Sequence, residues 1–183
     1  MSSLPESTDQ HLWISWDEYH RKIEKLALLI YESGWEFDQI LCLARGGLRP
    51  GDVLSRIFNV PLAILSTSSY RDESGMQQGP LDIAKNITIT NGSDGTLRGR
   101  VLVVDDLADT GVTLQTVVEH LRTHFPALTD LKVAVVWQKA CSKIKPDFIV
   151  DYLQTSPWIH QPFENYDTIR PDQLMKLVQK HQN

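Results

Sequence analysis

Val101-Leu102-Val103-Val104-Asp105-Asp106-Leu107-Ala108-Asp109-Thr110-Gly111-Val112-Thr113-Leu114 holds an apolar run, two adjacent acids, a third acid and a Thr-Gly-x-Thr segment. The run has no polar face, which fits a strand inside a parallel sheet covered by helices on both sides. From Gly111 onward, Leu114, Val117, Val118 and Leu121 recur at i, i+3, i+4 and i+7, the spacing of a helix with one buried face. A helix start offers unpaired N–H groups and the positive end of a dipole, so Thr110 to Thr113 can wrap a phosphate monoester. Gly111 lets the backbone come close, and the threonine hydroxyls add donors. Asp105 and Asp106 are acceptors suited to sugar hydroxyls or a hydrated divalent cation. Three acids beside an anion cradle would repel one another without a ligand to satisfy, so the string reads as a site.

The flanking sequence alternates strand and helix patterns. Ser15-Trp16-Asp17-Glu18 has the form of a capping box, followed by Tyr19, Ile23, Leu26, Ala27 and Ile30 at helical spacing up to Gly34. Gln39 to Ala44 predicts a strand, Arg45-Gly46-Gly47 a loop, and Pro50 to Phe58 a second helix. Pro61 to Ser66 predicts another strand, while Thr67 to Lys85 is polar and without period. Asn86 to Thr90 alternates like a half-exposed strand, and Asn91-Gly92 with Asp94-Gly95 makes a turn before Val101. Leu131 to Trp137 and Phe148 to Leu153 predict two more strands. A final helix over Asp172 to Gln182 places Leu174, Leu177 and Val178 on one face. Such alternation predicts one α/β domain with a mainly parallel sheet, and in open sheets of this kind ligands bind beyond the carboxyl ends of the strands. Three candidate sites stand there: Arg45 to Gly47, Asp105 to Thr113, and Trp137 to Lys139.

Composition narrows the function class. The 183 residues are 42% hydrophobic and 22% charged, values of a globular chain that excludes disorder, collagen and coiled coil. A formal net charge of -5 argues against a broad phosphate-neutralising surface for nucleic acid, so any bound polyanion should be small and locally held. No apolar run nears the roughly 20 residues that span a bilayer. The start lacks the basic and apolar regions of a secretory signal, and a chain this long needs no disulfide framework, so the expectation is a cytoplasmic protein. Cys42 reads as a packed apolar residue, and Cys141 has no partner at metal-site spacing. His120 and His124 stand four apart on a helix, but Leu121 occupies the place of the metalloprotease glutamate and no third ligand is near. Trp13, Trp16 and Trp35 read as core or subunit contacts.

The Asp-Asp-x-x-Asp-Thr-Gly-x-Thr string resembles the phosphoribosyl pyrophosphate (PRPP) signature of the type I phosphoribosyltransferases. Other pieces agree over roughly Ile14 to Asp167. Leu43 to Gly51 looks like the pyrophosphate loop of the xanthine-guanine enzymes, and Ser68-Ser69-Tyr70 like the start of their mobile catalytic loop. Lys139 and Pro157-Trp158-Ile159-His160-Gln161-Pro162 correspond to their purine-binding pieces. The resemblance implies a type I fold over residues 14–183 after a tail of 1–13, with a small hood from about 140 onward. It implies transfer of phosphoribosyl from PRPP to a 6-oxopurine in purine salvage, with Mg²⁺ as cofactor and a homodimer or homotetramer as the assembly. PRPP would be held by Arg45, Gly46 and Gly47, by Asp105 and Asp106, and by Ala108, Asp109, Thr110, Gly111, Val112 and Thr113. Asp109 would be the catalytic base, Asp106 with Asp105 would hold the metal directly or through water, and Lys139, Trp158 and Ile159 would hold the purine.

Two other readings share this fold: a regulator that senses PRPP, and a transferase for another base. The acidic charge and the lack of a helix-turn-helix ahead of the domain weigh against the first. Lys139 can donate to a 6-oxo group and has nothing to offer a 6-amino group, which with Trp158 weighs against an adenine enzyme. Two departures from the xanthine-guanine enzymes bear on specificity, one being that Tyr166 to Asn183 lacks their short hydrophobic ending and continues as a predicted helix. Where the xanthine-guanine enzymes carry an acid after Trp-Ile, this chain has His160, which removes an acceptor for a 2-amino group and makes hypoxanthine as good a substrate as guanine or xanthine, or better.

Overall fold

The computed structural model describes residues 11–71, 78–83, 87–90 and 96–180; for 68–71, 78–83 and 180 it describes the backbone alone. The chain divides into two compact units, Lys22–Ser156 and the pair of segments Met1–Arg21 with Pro157–Asn183.

The larger unit is built on a seven-stranded sheet. Its strands are β2 (Gln39–Ala44), β3 (Leu62–Arg71), β4 (Gln78–Ile83), β5 (Thr88–Ile89), β6 (Gly99–Ala108), β7 (Leu128–Lys139) and β8 (Phe148–Leu153). The spatial order is β4-β3-β2-β6-β7-β8, with β5 also on β3. Strands β3, β2, β6, β7 and β8 are mutually parallel, whereas β4 and β5 run antiparallel to β3. Counted in chain order, the parallel strands lie 2-1-3-4-5, so the direction of winding reverses between β2 and β6. In this topology the crevice for a ligand opens at that reversal, beyond the strands' carboxyl ends.

Period-2 alternation explains why the central strands are apolar throughout. Leu41 and Leu43 of β2, Val101 and Val103 of β6, and Val133 and Val135 of β7 join one core cluster with Leu114, Val117 and Leu121 of helix α3 (Val112–His124). Burying each of those helix side chains contributes about 1.5–3 kcal/mol. The opposite face of β2 carries Ile40 and Cys42, both fully buried. Cys42 packs directly beneath Gly51 of helix α2 (Leu48–Phe58). Loss of water around its sulfur, with Asp105 and Asp52 adding negative field, pushes the Cys42 thiol up to about 12. Cys141, by contrast, is exposed. In native protein at pH 8, Ellman's reagent should therefore titrate one thiol, and a second should appear only on unfolding; rapid labelling of both would overturn the packing of Cys42.

Helix α1 (Trp16–Glu32) opens as its capping box predicts, the Glu18 N–H donating to Ser15 Oγ at 3.2 Å. Its apolar stripe, Tyr19, Ile23, Leu26, Ala27 and Ile30, is buried. Trp35 stacks on Phe37 with ring centres 5.5 Å apart and donates its indole N–H to Asp130 at 2.9 Å.

Strand β1 (His11–Trp13) and strand β9 (Trp158–His160) pair in parallel as a two-stranded sheet in the smaller unit. That unit also holds α4 (Asn165–Thr168) and α5 (Pro171–Lys180). Leu174, Leu177 and Val178 share a face of α5 as expected, but each remains 43–50% exposed. Trp13 lies over the His160 ring at 3.7 Å between centres, although 70% of it is exposed.

The structure corrects several sequence expectations. His11–Trp13, read as tail, is a strand, because a register of only three residues on β9 stabilises it and no local period announces it. The small unit takes up again at Pro157. Residues 140–156 stay with the large unit because β8 pairs with β7 and the Ala140 N–H donates to Leu153 O at 2.8 Å. The polar stretch after Ser66 continues β3 to Arg71 and returns as β4. Helix α2 starts at Leu48, leaving Pro50 in the first turn, where its missing N–H costs nothing. Strand β5 is shorter than Asn86 to Thr90, and the Asn91 to Gly95 turn lies outside the described residues. Strand β6 does not stop at Val104. It runs through the acids to Ala108, since β7 is long enough to pair Asp105 with Val135, Leu107 with Trp137 and Ala108 with Gln138.

Candidate active site

Two loops meet at the reversal point. The first follows β2, where the Ala44–Arg45 peptide is cis and Arg45 is exposed. Gly47 is buried, donates its N–H to Leu43 O at 2.9 Å and begins α2. The second comes from the end of β6. The two lie against each other: the Asp106 carboxylate fills the space a Gly46 side chain would need, and Val104 O lies where a Gly47 Cβ would stand. Sequence separation hides this proximity, and only the β2–β6 pairing creates it.

Asp105 and Asp106 differ in surroundings. Both are half-buried, and the Asp105 carboxylate accepts the Asp106 N–H at 3.0 Å. Loss of water, then the neighbouring Asp106 charge, push the Asp105 carboxyl well above the usual range, only partly offset by the Asp106 and Gly47 N–H groups. Crowding thus disfavours a second negative charge on the pair, and a cation alongside it would favour that charge. Among the described residues no group of three or more His, Cys, Asp or Glu could cage a metal, so a divalent ion here would rest on one or two carboxylates and on its other ligands. The His120 and His124 rings stack on each other at 4.2 Å, and His124 Nδ1 donates to His120 O at 2.9 Å.

Beyond Ala108 the chain turns through Asp109 and Thr110 into α3. Gly111 is the residue before the helix, at φ +77°, a conformation L side chains rarely adopt. Gly111 itself supplies no side-chain cap, Thr110 Oγ1 accepts the Val112 N–H at a long 3.5 Å, and this first turn carries the positive end of the helix dipole. The turn is braced from the β7–β8 connection: the Lys143 N–H donates to Thr110 O at 2.8 Å, and Ser142 and Ile144 occupy the space beside Gly111. Sequence reasoning missed this brace, because nothing in Ala140 to Lys145 carries a pattern.

Lys139 closes β7 and is 7% exposed, yet its Nζ reaches Asp109 Oδ1 at 3.2 Å. A donor and an acceptor are thereby held side by side, next to the α3 N-terminus. Cys141 Sγ also touches Asp109, at 3.6 Å from its carbonyl oxygen and 3.9 Å from Oδ1, and lies 3.4 Å from Ser156 Oγ. Ser68, Ser69 and Tyr70 have strand backbone within β3; Ser68 pairs with Asp82 and Ser69 with Leu81 of β4, Tyr70 lies at a break in the register, and their side chains lie outside the description. Trp158 and Ile159 belong to the smaller unit, where Trp158 is 62% exposed and Ile159 is buried. The structure therefore brings together Arg45 to Gly47, Asp105 to Thr113 and Lys139 within one unit.

Comparison with known proteins identifies the family and the fold. A family model described as the phosphoribosyl transferase domain matches residues 15–168. A xanthine-guanine phosphoribosyltransferase of Idiomarina loihiensis is 31% identical over 159 residues, which is 86% of this chain and 89% of that one. Among solved structures, a purine phosphoribosyltransferase from Pyrococcus horikoshii superposes with a TM-score of 0.70 at 30% identity, over 88% of this chain and 98% of the other. A hypothetical protein from Neisseria gonorrhoeae with bound ppGpp gives 0.67 at 25% identity, over 96% and 99%. The strand order, the two facing loops and these matches over most of each chain make the protein a member of the phosphoribosyltransferase family, in its type I fold.

Proposed function

We propose that this enzyme transfers the 5-phosphoribosyl group of PRPP to a 6-oxopurine, releasing pyrophosphate and a purine nucleoside 5′-monophosphate, as a cytoplasmic purine-salvage enzyme of two or four subunits. The observation that carries the reading is the 3.2 Å pair of Lys139 and Asp109. A 6-oxopurine presents a 6-oxo acceptor beside an N7–H donor, and this pair is the complementary donor and acceptor. Adenine presents a 6-amino donor instead, which Lys139 cannot receive. The names of the Idiomarina and Pyrococcus relatives support a purine. The ppGpp on the Neisseria protein joins a purine to two diphosphates, the two chemistries assigned to this site.

The roles follow from position. The N–H groups and hydroxyls of Thr110 to Thr113, with Ala108 leading in, hold the 5′-phosphate. Arg45 pairs with pyrophosphate oxygens through its planar fork, and Gly46 and Gly47 let the loop lie close. Asp105 and Asp106 take the ribose hydroxyls and Mg²⁺; two adjacent carboxyl groups fit a hydrated cation bound mainly by its ligand. Mg²⁺, when bound, neutralises charge on the leaving pyrophosphate. Breaking the C1–oxygen bond leaves positive charge on the ribose, so no covalent nucleophile is called for; Lys139 orients the base and Asp109 accepts its N7 proton. On the smaller unit, exposed Trp158 beside buried Ile159 offers an aromatic face, and stacking of a base on such a face contributes about 1–3 kcal/mol.

Nucleotide formation from hypoxanthine, guanine, xanthine and adenine with PRPP and Mg²⁺ tests the reading. Hypoxanthine should at least equal guanine, because His160 stands where an acid would accept a 2-amino group and its ring is engaged by Trp13 and, at 2.7 Å, by His11 Nδ1. Adenine should be slower by at least about 10²-fold, since a site built to hydrogen-bond one group rejects its mismatch strongly. No product from any base would favour a PRPP-sensing regulator, and adenine as best substrate would remove the role given to Lys139.

A further inference from the structure

We propose that Cys141 is a positioning residue for Asp109, holding its carboxylate while Lys139 serves the purine; the proposal rests on the base role given to Asp109 above. The Asp109 side chain is 54% exposed and follows the last residue of β6, so neither strand pairing nor packing fixes its rotamer. Two groups do. Lys139 Nζ holds Oδ1 from one side, and Cys141 Sγ approaches both the main-chain oxygen and Oδ1 from another. Lys139 must share its donors with the 6-oxo group once a base binds. The thiol has no such second duty.

The position of Cys141 is itself fixed. Its neighbours anchor the connection on both sides: Ala140 N–H donates to Leu153 O, Ser142 N–H to Lys139 O at 3.0 Å, and Lys143 N–H to Thr110 O. Ser156 Oγ, 3.4 Å from the sulfur, can donate to it and leave the thiol proton directed at Asp109. The line Ser156, Cys141, Asp109 therefore orients a base on an otherwise open turn. An S–H donor is weak, but a small misplacement of a proton acceptor is costly in rate.

The test is a mutant cycle read as kcat and KM for hypoxanthine and PRPP. Cys141→Ala should lower kcat by about fivefold to tenfold, below the effect of an ordinary hydrogen bond to a charged group, and leave the KM for PRPP unchanged. Cys141→Ser, which keeps a donor, should restore most of the loss, and Ser156→Ala, at an exposed position, should show the same split in smaller measure. In an Asp109→Asn background, Cys141→Ala should have no further effect on kcat, because the side chain it positions can no longer take a proton. An equal loss in both backgrounds, or a Cys141→Ala enzyme with unaltered kcat, overturns the proposal. Failure of the base role reads out separately, as full turnover by Asp109→Asn alone. Thermal melts of each variant tell lost folding from lost positioning.

Discussion

Asp109→Asn should lower kcat for the best purine by about 10²- to 10⁴-fold, the range that a positioned acid or base contributes, while the KM for PRPP stays within a small factor. Asparagine keeps the shape and one carbonyl acceptor, so the contacts to Lys139 and Cys141 survive in outline. It loses only the ability to take a proton. A group that acts in the transition state changes kcat and kcat/KM together, whereas one that merely binds substrate changes KM. Steady-state kinetics with saturating PRPP and Mg²⁺ decide between the two. Wild-type turnover would remove the base assignment, and a rise in KM alone would make Asp109 a purine-binding residue.

Gly47→Ala should be the most destabilising single-methyl change in the candidate site. The new Cβ would run into Val104 O and lie 2.9 Å from Leu43 O and 3.0 Å from Leu43 N. These are main-chain atoms of two adjacent strands, so no side chain can swing away. Gly47 has φ -70°, an ordinary value, and close approach is therefore the whole reason for glycine here. Relief would need α2 to lift from the sheet, at a cost of about 3 kcal/mol or more. For a chain of this size that lowers Tm by roughly 10 °C. Calorimetry of the variant checks it, and a change under about 2 °C would show that the two loops are not packed as described. The same shift would carry the Gly47 N–H away from Asp105, so PRPP use should fall even where the fold survives.

The two expectations draw on different levels of the molecule. Asp109 is conspicuous in the sequence, three residues after an acid pair and two before a helix-opening glycine. Its partners are not. Lys139 is an ordinary lysine in the linear chain, thirty residues away, and only the parallel register of β6 on β7 brings the ends of the two strands level. Cys141 has no motif at all, and its contact with Asp109 depends on a connection anchored through backbone hydrogen bonds. Gly47 sits in a recognisable glycine pair, but its need for hydrogen in place of a methyl group follows from Val104 on a strand about sixty residues distant.

What the sequence by itself determined is whatever a local period can encode. The bounds of β2 and β8 follow from short apolar runs, α1 and α3 from stripes at helical spacing, and the candidate turn from acids, threonines and glycine packed into nine positions. What only the tertiary structure decided is everything that rests on a partner strand: the winding reversal between β2 and β6, the run of β6 past its acids, the return of β3 through β4, and the short β1–β9 pair. A strand's edge hydrogen bonds are satisfied by residues far along the chain, so polar sequence can be strand wherever a partner's backbone is waiting. The chemistry was written in one segment, and the sheet supplied its counter-charge from elsewhere.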